Sequence, residues 1–199
     1  MKKHFLTFIL FSFGFIDCFS QLEKSSAQFG VSVLPVLDVF KVFPDNKISG
    51  FAVIGNIGFF PIKNLSAGIQ PYYGQASNSY SSFFFEKENQ EIKLYGLNAY
   101  LRYYFIRKQK FLAYSMASVG FGNSEQKTTL VSTVILVKSP INKSVLTGVF
   151  GAGIGYFIVK NLALELNIQY LNIKYFSADP ADKSFHTIAP TVGVEFFLK

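Results

Sequence analysis

The sequence predicts an all-β fold, an eight-stranded antiparallel up-and-down transmembrane β-barrel. Three observations predict it. Apolar and small polar residues alternate with period two through nearly the whole chain after residue 25, and no helical period is sustained. Tight turns alternate with longer polar connections. The residues opposite the apolar ones are mostly Gly, Ser, Thr, Asn and Gln, where a water-facing strand would carry Lys and Glu.

The chain opens on a segment that does not belong to this pattern. Met1, Lys2, Lys3 and His4 form a basic start, residues 5–16 an apolar run too short to span a bilayer, and Cys18 and Ser20 place small residues before a cut at Gln21. Residues 1–20 are therefore expected to be a secretory signal peptide and residues 21–199 the barrel domain, a length that suits one domain. Cys18 is the only cysteine; acylation there would want a small residue before it, and Asp17 stands in that place. A chain cut at Gln21 has no disulfide, no thiolate metal site and no cysteine nucleophile. No later run is apolar enough for a membrane helix, so a membrane-inserted form must close into a barrel.

Eight strands are expected, centred on residues 28–40, 49–60, 65–76, 91–106, 110–122, 144–157, 162–175 and 185–198. The seventh shows the pattern well. Leu162, Leu164, Leu166, Ile168 and Tyr170 point one way, and Ala163, Glu165, Asn167 and Gln169 the other. Residues 61–64, 107–109 and 158–161 are hairpin-length turns, and residues 43–49, 76–90, 123–143 and 177–184 are longer links. Short connections on one side and long ones on the other suit a barrel with periplasmic turns and external loops. The segment "TTLVSTVILVK", residues 128–138, is apolar and β-branched enough to be a strand. A ninth barrel strand would break the even count, so it is expected to be a β-extension of the third external loop.

A soluble barrel, apolar inside, would show the same alternation. The composition of the polar face decides between the two: its amides, glycines and few charges suit a narrow lumen. The charges on that face are Asp38, Arg102, Glu165 and Glu195, of both signs and able to pair inside a lumen. Aromatics gather near strand ends, with Phe59, Tyr103, Phe105, Tyr156 and Phe196 at one rim, as expected of an interfacial girdle. "GFFPIKNL", "YYFIRKQKFL" and "GYFIVKNL" repeat one arrangement at the three tight turns. Aromatics mark the interface, a Lys or Arg lies beyond it, and Leu re-enters the membrane.

These hairpins, the leader and the closing strand "TVGVEFFLK" resemble the small outer-membrane β-barrel proteins of Gram-negative bacteria, in particular the eight-stranded OmpA/OmpX-like barrels. The resemblance covers the whole chain after the leader. It implies the cell outer membrane as location, with outer-membrane lipid and lipopolysaccharide as surroundings. It also implies the outer-membrane assembly machinery as a partner and a monomeric state. Family barrels tend to end on an aromatic; here Val192, Val194, Phe196 and Leu198 alternate, and Lys199 takes the last place. No peptidoglycan-binding segment follows in this sequence.

The chemistry-bearing residues are few. Some barrels of this size deacylate lipid A with a His, a Ser and a Glu. His186, with Ser184 and Asp182 nearby, is the candidate, but Ser184 precedes it and a rim histidine is the simpler expectation. No catalytic residue, metal site or cofactor is therefore expected: N and S ligands are lacking, and loop carboxylates such as Glu86, Glu88 and Glu91 read as solvated charge. "GFGNSE" and "GAGIGYF" precede no helix, so neither is a phosphate loop. The net charge of +7 forms no clustered stripe, which excludes nucleic acid as a partner. Tyr100, Arg102, Glu165, Glu195, Gln70 and Tyr72 leave little room for a water path, while Leu34, Val36 and Ile54 add apolar lumen positions. Two functions follow: a structural or surface-interaction role through the external loops, with Phe83, Phe84 and Phe85 as contact candidates for an extracellular partner, or a narrow porin-like channel for small or apolar solutes.

Overall fold

The computed structural model describes residues 26–36, 47–82, 85–108, 110–131, 135–137, 140–176 and 184–198. The expected leader lies outside the described residues. The strands are β1 (Ala27–Val36), β2 (Lys47–Ile62), β3 (Leu65–Ser82), β4 (Phe85–Lys108), β5 (Phe111–Val131), β6 (Ile135–Val137), β7 (Ile141–Val159), β8 (Leu162–Phe176) and β9 (Phe185–Leu198). Each barrel strand pairs antiparallel with its chain neighbours, β5 with β7 across the short β6. The ladder from Ala27↔Leu198 to Val33↔Val192 joins β1 to β9 and closes the cylinder. Eight strands build the wall. β6 folds back on the outer end of β5, with Thr129 opposite Val137 and Val131 opposite Ile135. The described parts of the "TTLVSTVILVK" segment, residues 128–131 and 135–137, thus form a β-extension of the third connection, as its apolar pattern and the even strand count required.

The alternation becomes two surfaces. On β8, Ala163, Glu165, Asn167 and Gln169 are buried toward the lumen, and Leu164, Leu166, Ile168 and Tyr170 face out. The outward side chains between the rims form a belt with no charged residue, including Val31 and Val33, Ile57, Leu97 and Leu101, Phe150 and Ile154, and Val192 and Val194. In water such a surface would aggregate; in hydrocarbon it is the required one. Tyr95 and Tyr103 bracket the belt eight residues apart on β4. At ~3.3 Å per residue and a tilt near 40° that is ~20 Å along the membrane normal, and the rings at each rim bring it near the ~25 Å apolar band of such barrels.

The turns are tighter and the strands longer than the sequence suggests. Ile62 opposes Leu65, Lys108 opposes Phe111 and Val159 opposes Leu162, so two residues make each turn. Asn64 takes a left-handed φ of 70°, a conformation its short amide side chain tolerates. At the other end, most of the link expected over residues 76–90 is strand. β3 runs to Ser82 and β4 begins at Phe85, ten residues beyond Tyr95. β5 likewise continues to Val131. Those segments are polar on one face and mixed on the other, so the hydrophobic alternation fades while the backbone pairing persists. Outside the membrane, hydrogen bonds between strands need no apolar face to hold them.

Leu166 lies in the middle of the belt, pointing at lipid. Leu166→Arg is expected to cost about 2–4 kcal/mol, the range for a cation at the bilayer midplane. Equilibrium unfolding in urea from lipid vesicles measures it, with an unchanged midpoint contradicting the assigned membrane depth.

Candidate functional site

The lumen is filled in tiers. The tier nearest the short turns comes from the repeated aromatic pairs, and only the first of each pair faces the lipid. Phe59, Tyr103, Tyr156 and Phe196 are outward, 40–56% exposed, and Phe105 joins them on β4; Phe60, Tyr104, Phe157 and Phe197, one residue on, are buried inward. Successive strand residues point to opposite faces, so a doubled aromatic serves both surfaces at one depth. The four inner aromatics sit on alternate strands and share one backbone tie. Their N–H groups donate to the carbonyls of Ser26, Asn64, Lys110 and Asn161, the residues that precede the neighbouring strands, at 2.7–2.9 Å. Phe60 stands 5.7 Å from Tyr104 between ring centroids, and Phe157 5.4 Å from Phe197. Leu112, Tyr114, Met116 and Ala163 complete this apolar floor.

Directly above lies a charged tier. Arg102 on β4 reaches across the lumen to β8 and β9. Its Nη1 lies 2.8 Å from Glu195 Oε2 and 3.3 Å from both Glu165 oxygens, and it donates to Tyr104 Oη at 3.3 Å. The guanidinium stacks over the Tyr114 ring at 4.3 Å. Tyr114 donates its hydroxyl to Glu165 Oε2 at 2.8 Å and accepts from Asn167 Nδ2 at 3.2 Å. Gln28 Nε2 donates to Glu195 Oε1, and Tyr104 donates to Gln28 Oε1 at 3.1 Å. Both carboxylates are thus held by one cation and by neutral donors, all of them buried. Glycines make the room: a Cβ at Gly30 would stand 2.7 Å from Glu195 Cδ, and one at Gly153 2.6 Å from the Tyr114 ring.

A neutral tier follows toward the outside. Thr147 donates to Asn98 Oδ1 at 2.6 Å, Asn98 to Ser118 at 3.3 Å, Ser118 to Gln70 Oε1 at 3.2 Å, and Gln70 to Asn56 Oδ1 at 2.8 Å. This chain ties β7, β4, β5, β3 and β2. Beside it, Gln169 and Thr191 both donate to Asn167 Oδ1. Leu34, Ile54, Val145 and Ile173, all less than 10% exposed, close the outer end of the packed interior. Val36 ends β1 above them.

The structure brings Arg102, Glu165 and Glu195 into one cluster. Asp38, Phe83 and Phe84 lie outside the described residues, as does Asp182. Phe85 is the first residue of β4 and pairs opposite Ser82, so it belongs to a hairpin where the sequence suggested an open loop. His186 points outward near the start of β9, its ring 6.3 Å from that of Tyr170, and Ser184 precedes the strand. Glu91 pairs with Gln75 at 2.8 Å and with Lys93 at 3.7 Å on the external sheet. Gln28, Tyr104, Tyr114 and Asn167 complete the charged tier and were not singled out from the sequence. Their inward parity was readable there, but their common height depends on the stagger between strands.

Residues 10–196 match the sequence profile of the outer membrane protein beta-barrel domain. The chain belongs to that family. Membership puts it in the outer membrane, where barrels of this kind keep their short turns on the periplasmic side. Among solved structures, Neisserial surface protein A is 15% identical with a TM-score of 0.51, the match covering 86% of this chain and 96% of that one. The attachment invasion locus protein Ail of Yersinia pestis is 12% identical, covering 88% and 99%, with a TM-score of 0.49. The N-terminal β-barrel domain of Pseudomonas aeruginosa OprF is 15% identical, covering 88% and 98%, with a TM-score of 0.45. At 15% identity the likeness to Neisserial surface protein A is one of fold. A comparison with curated proteins gives no match.

Removing one member of a buried ion cluster leaves its partners uncompensated, which typically costs about 3–5 kcal/mol. Arg102→Met is expected to lose that much in unfolding from vesicles. Arg102→Met combined with Glu165→Gln and Glu195→Gln is expected to recover most of it, because no buried charge then lacks a partner. A triple variant as unstable as the single one would show that Arg102 acts by its shape alone.

Proposed function

We propose that this protein is a sealed outer-membrane barrel whose work is done outside the lumen, by presenting its external β-sheet to an extracellular partner. The observation that carries this reading is the succession of buried side chains that crosses the lumen among the described residues. An aromatic floor, a charged tier, an amide and hydroxyl tier and an apolar cap follow one another along the axis, their side chains buried and bonded across the walls. An eight-stranded cylinder is only just wide enough for its own side chains. The porin-like reading needs a continuous water path, and Arg102 with the four inner aromatics stands across it.

The outward face of the external sheet supports the other half of the proposal. Ser49 and Ser77 bond across β2 and β3 at 3.1 Å, and Gln75, Glu91 and Lys93 form a linked patch on β3 and β4. This is a stiff polar platform on paired strands, suited to hydrogen-bonded recognition. The reading is non-enzymatic, since the lumen carboxylates are committed to Arg102 and His186 faces out beside Tyr170.

Single-channel recording in planar bilayers tests the sealed state. The refolded wild type is expected to give no discrete conductance steps. A hollowed variant, Arg102→Ala with Glu195→Ala and Phe197→Ala, is expected to give them and so shows that the assay can detect an opened lumen. Discrete steps from the wild type would overturn the reading in favour of the channel.

A further inference from the structure

We propose that the periplasmic rim is a binding surface for anionic phospholipid headgroups of the inner leaflet of the outer membrane. The net charge of the chain is distributed unevenly between the two ends of the barrel. Each of the three short turns carries an exposed lysine, namely Lys63, Lys110 and Lys160. Arg107 and Lys108 occupy the last two positions of β4 beside the middle turn. No Asp or Glu occurs in residues 59–64, 103–112 or 156–163. Among the described residues the carboxylates nearest the turns, Glu165 and Glu195, are buried in the lumen and committed to Arg102. Their charges stay with Arg102 in the lumen, and the described turns carry only cations.

The other end is mixed. Lys93 lies opposite Glu125 and Glu91 opposite Lys127 on neighbouring strands, and Lys93 pairs with Glu91 at 3.7 Å, so charges of both signs are interspersed on the external sheet. Among the described residues, the periplasmic rim is the end whose exposed cations stand with no surface carboxylate beside them. Its position also fits a headgroup. The lysines stand in the turns beyond Phe59, Tyr103, Phe105 and Tyr156, whose exposed rings hold the acyl boundary and set the turn residues at phosphate depth. The turns fall between β2 and β3, β4 and β5, and β7 and β8, distributing the cations around the circumference. A ring of separate point charges suits several small anions, each a phosphodiester, better than one folded acidic protein.

Electron spin resonance of the full chain in phosphatidylcholine vesicles tests this, with spin-labelled phosphatidylglycerol or phosphatidylcholine as probe. The motionally restricted fraction gives the relative association of each lipid with the barrel. The wild type is expected to favour phosphatidylglycerol by about three- to fivefold at low ionic strength, and less as salt is added. Lys63→Gln with Lys110→Gln and Lys160→Gln is expected to bring the ratio close to one. Lys93→Gln with Lys127→Gln and Lys174→Gln, at the external end, is expected to leave it unchanged. Heat-modifiable gel migration reports whether each variant is folded. If the rim triple variant does not fold, single Lys63→Gln and Lys160→Gln substitutions are each expected to give a partial loss. No preference in the wild type, a preference that survives the rim substitutions, or an equal loss from the external ones would each overturn the proposal. Retention of the barrel on an immobilised acidic polypeptide without any lipid preference would also overturn it, and would assign the rim to a protein partner.

Discussion

The rest of the structure depends on the ladder between β1 and β9. In hydrocarbon an unpaired backbone N–H or C=O costs several kcal/mol, so a sheet can cross a membrane only without edges. Seven residue pairs, from Ala27↔Leu198 to Val33↔Val192, remove the last edge. Closure then fixes which face is which. Once the cylinder is closed, the outward residues of every strand must be apolar over one band of heights, and the inward ones must share a space scarcely wider than themselves.

That space explains the lumen. A narrow interior packed with apolar side chains throughout would leave little to distinguish one barrel from a slipped or inverted one. Here the tiers differ in chemistry, and each bonds walls that are distant in sequence: Arg102 to Glu195, Thr147 to Asn98, Tyr104 to Gln28. A shift of one strand by two residues would keep every side chain on its proper face, yet it would separate Arg102 from its carboxylates. The buried charges are a weak source of stability because desolvation offsets their attraction. They are a strong constraint on stagger, which the alternating pattern alone leaves free.

The same distinction explains what the sequence made legible. Parity is a local property, so the inward placement of Arg102, Glu165 and Glu195 and the outward placement of Phe59, Tyr156 and Phe196 could be read from single strands. Height is not local. That Tyr114 on β5 lies beneath the Arg102 guanidinium and beside Asn167 on β8 follows from the accumulated stagger of several strands, which no one strand encodes. The external strand ends were illegible for another reason. Past Tyr73 and Tyr95 there is water on the outer face, and residues such as Ser77, Ser79, Asn89 and Gln90 carry no hydrophobic period to betray a strand. The doubled aromatics lay between these cases. Their repetition was visible, but only the alternation of faces at one depth gives Phe60, Phe157 and Phe197 their inward role.

A doubled aromatic at the periplasmic rim joins two requirements. The outward ring holds the barrel at the membrane interface, and the inward ring closes its floor; both are fixed by one backbone, whose N–H is tied to the residue just before the preceding barrel strand. Depth in the bilayer and closure of the lumen are therefore coupled: sliding the girdle along the membrane normal would carry the floor with it. A channel that opened at this end would have to move side chains whose neighbours, one residue away, are anchored in the interface. The external end has no such coupling. There the strands leave the membrane, the outward face turns polar, and side chains such as Ser77 and Lys93 can change without disturbing either the belt or the floor. A barrel built this way confines its freedom to vary, and with it its capacity to recognise, to the strands that stand outside.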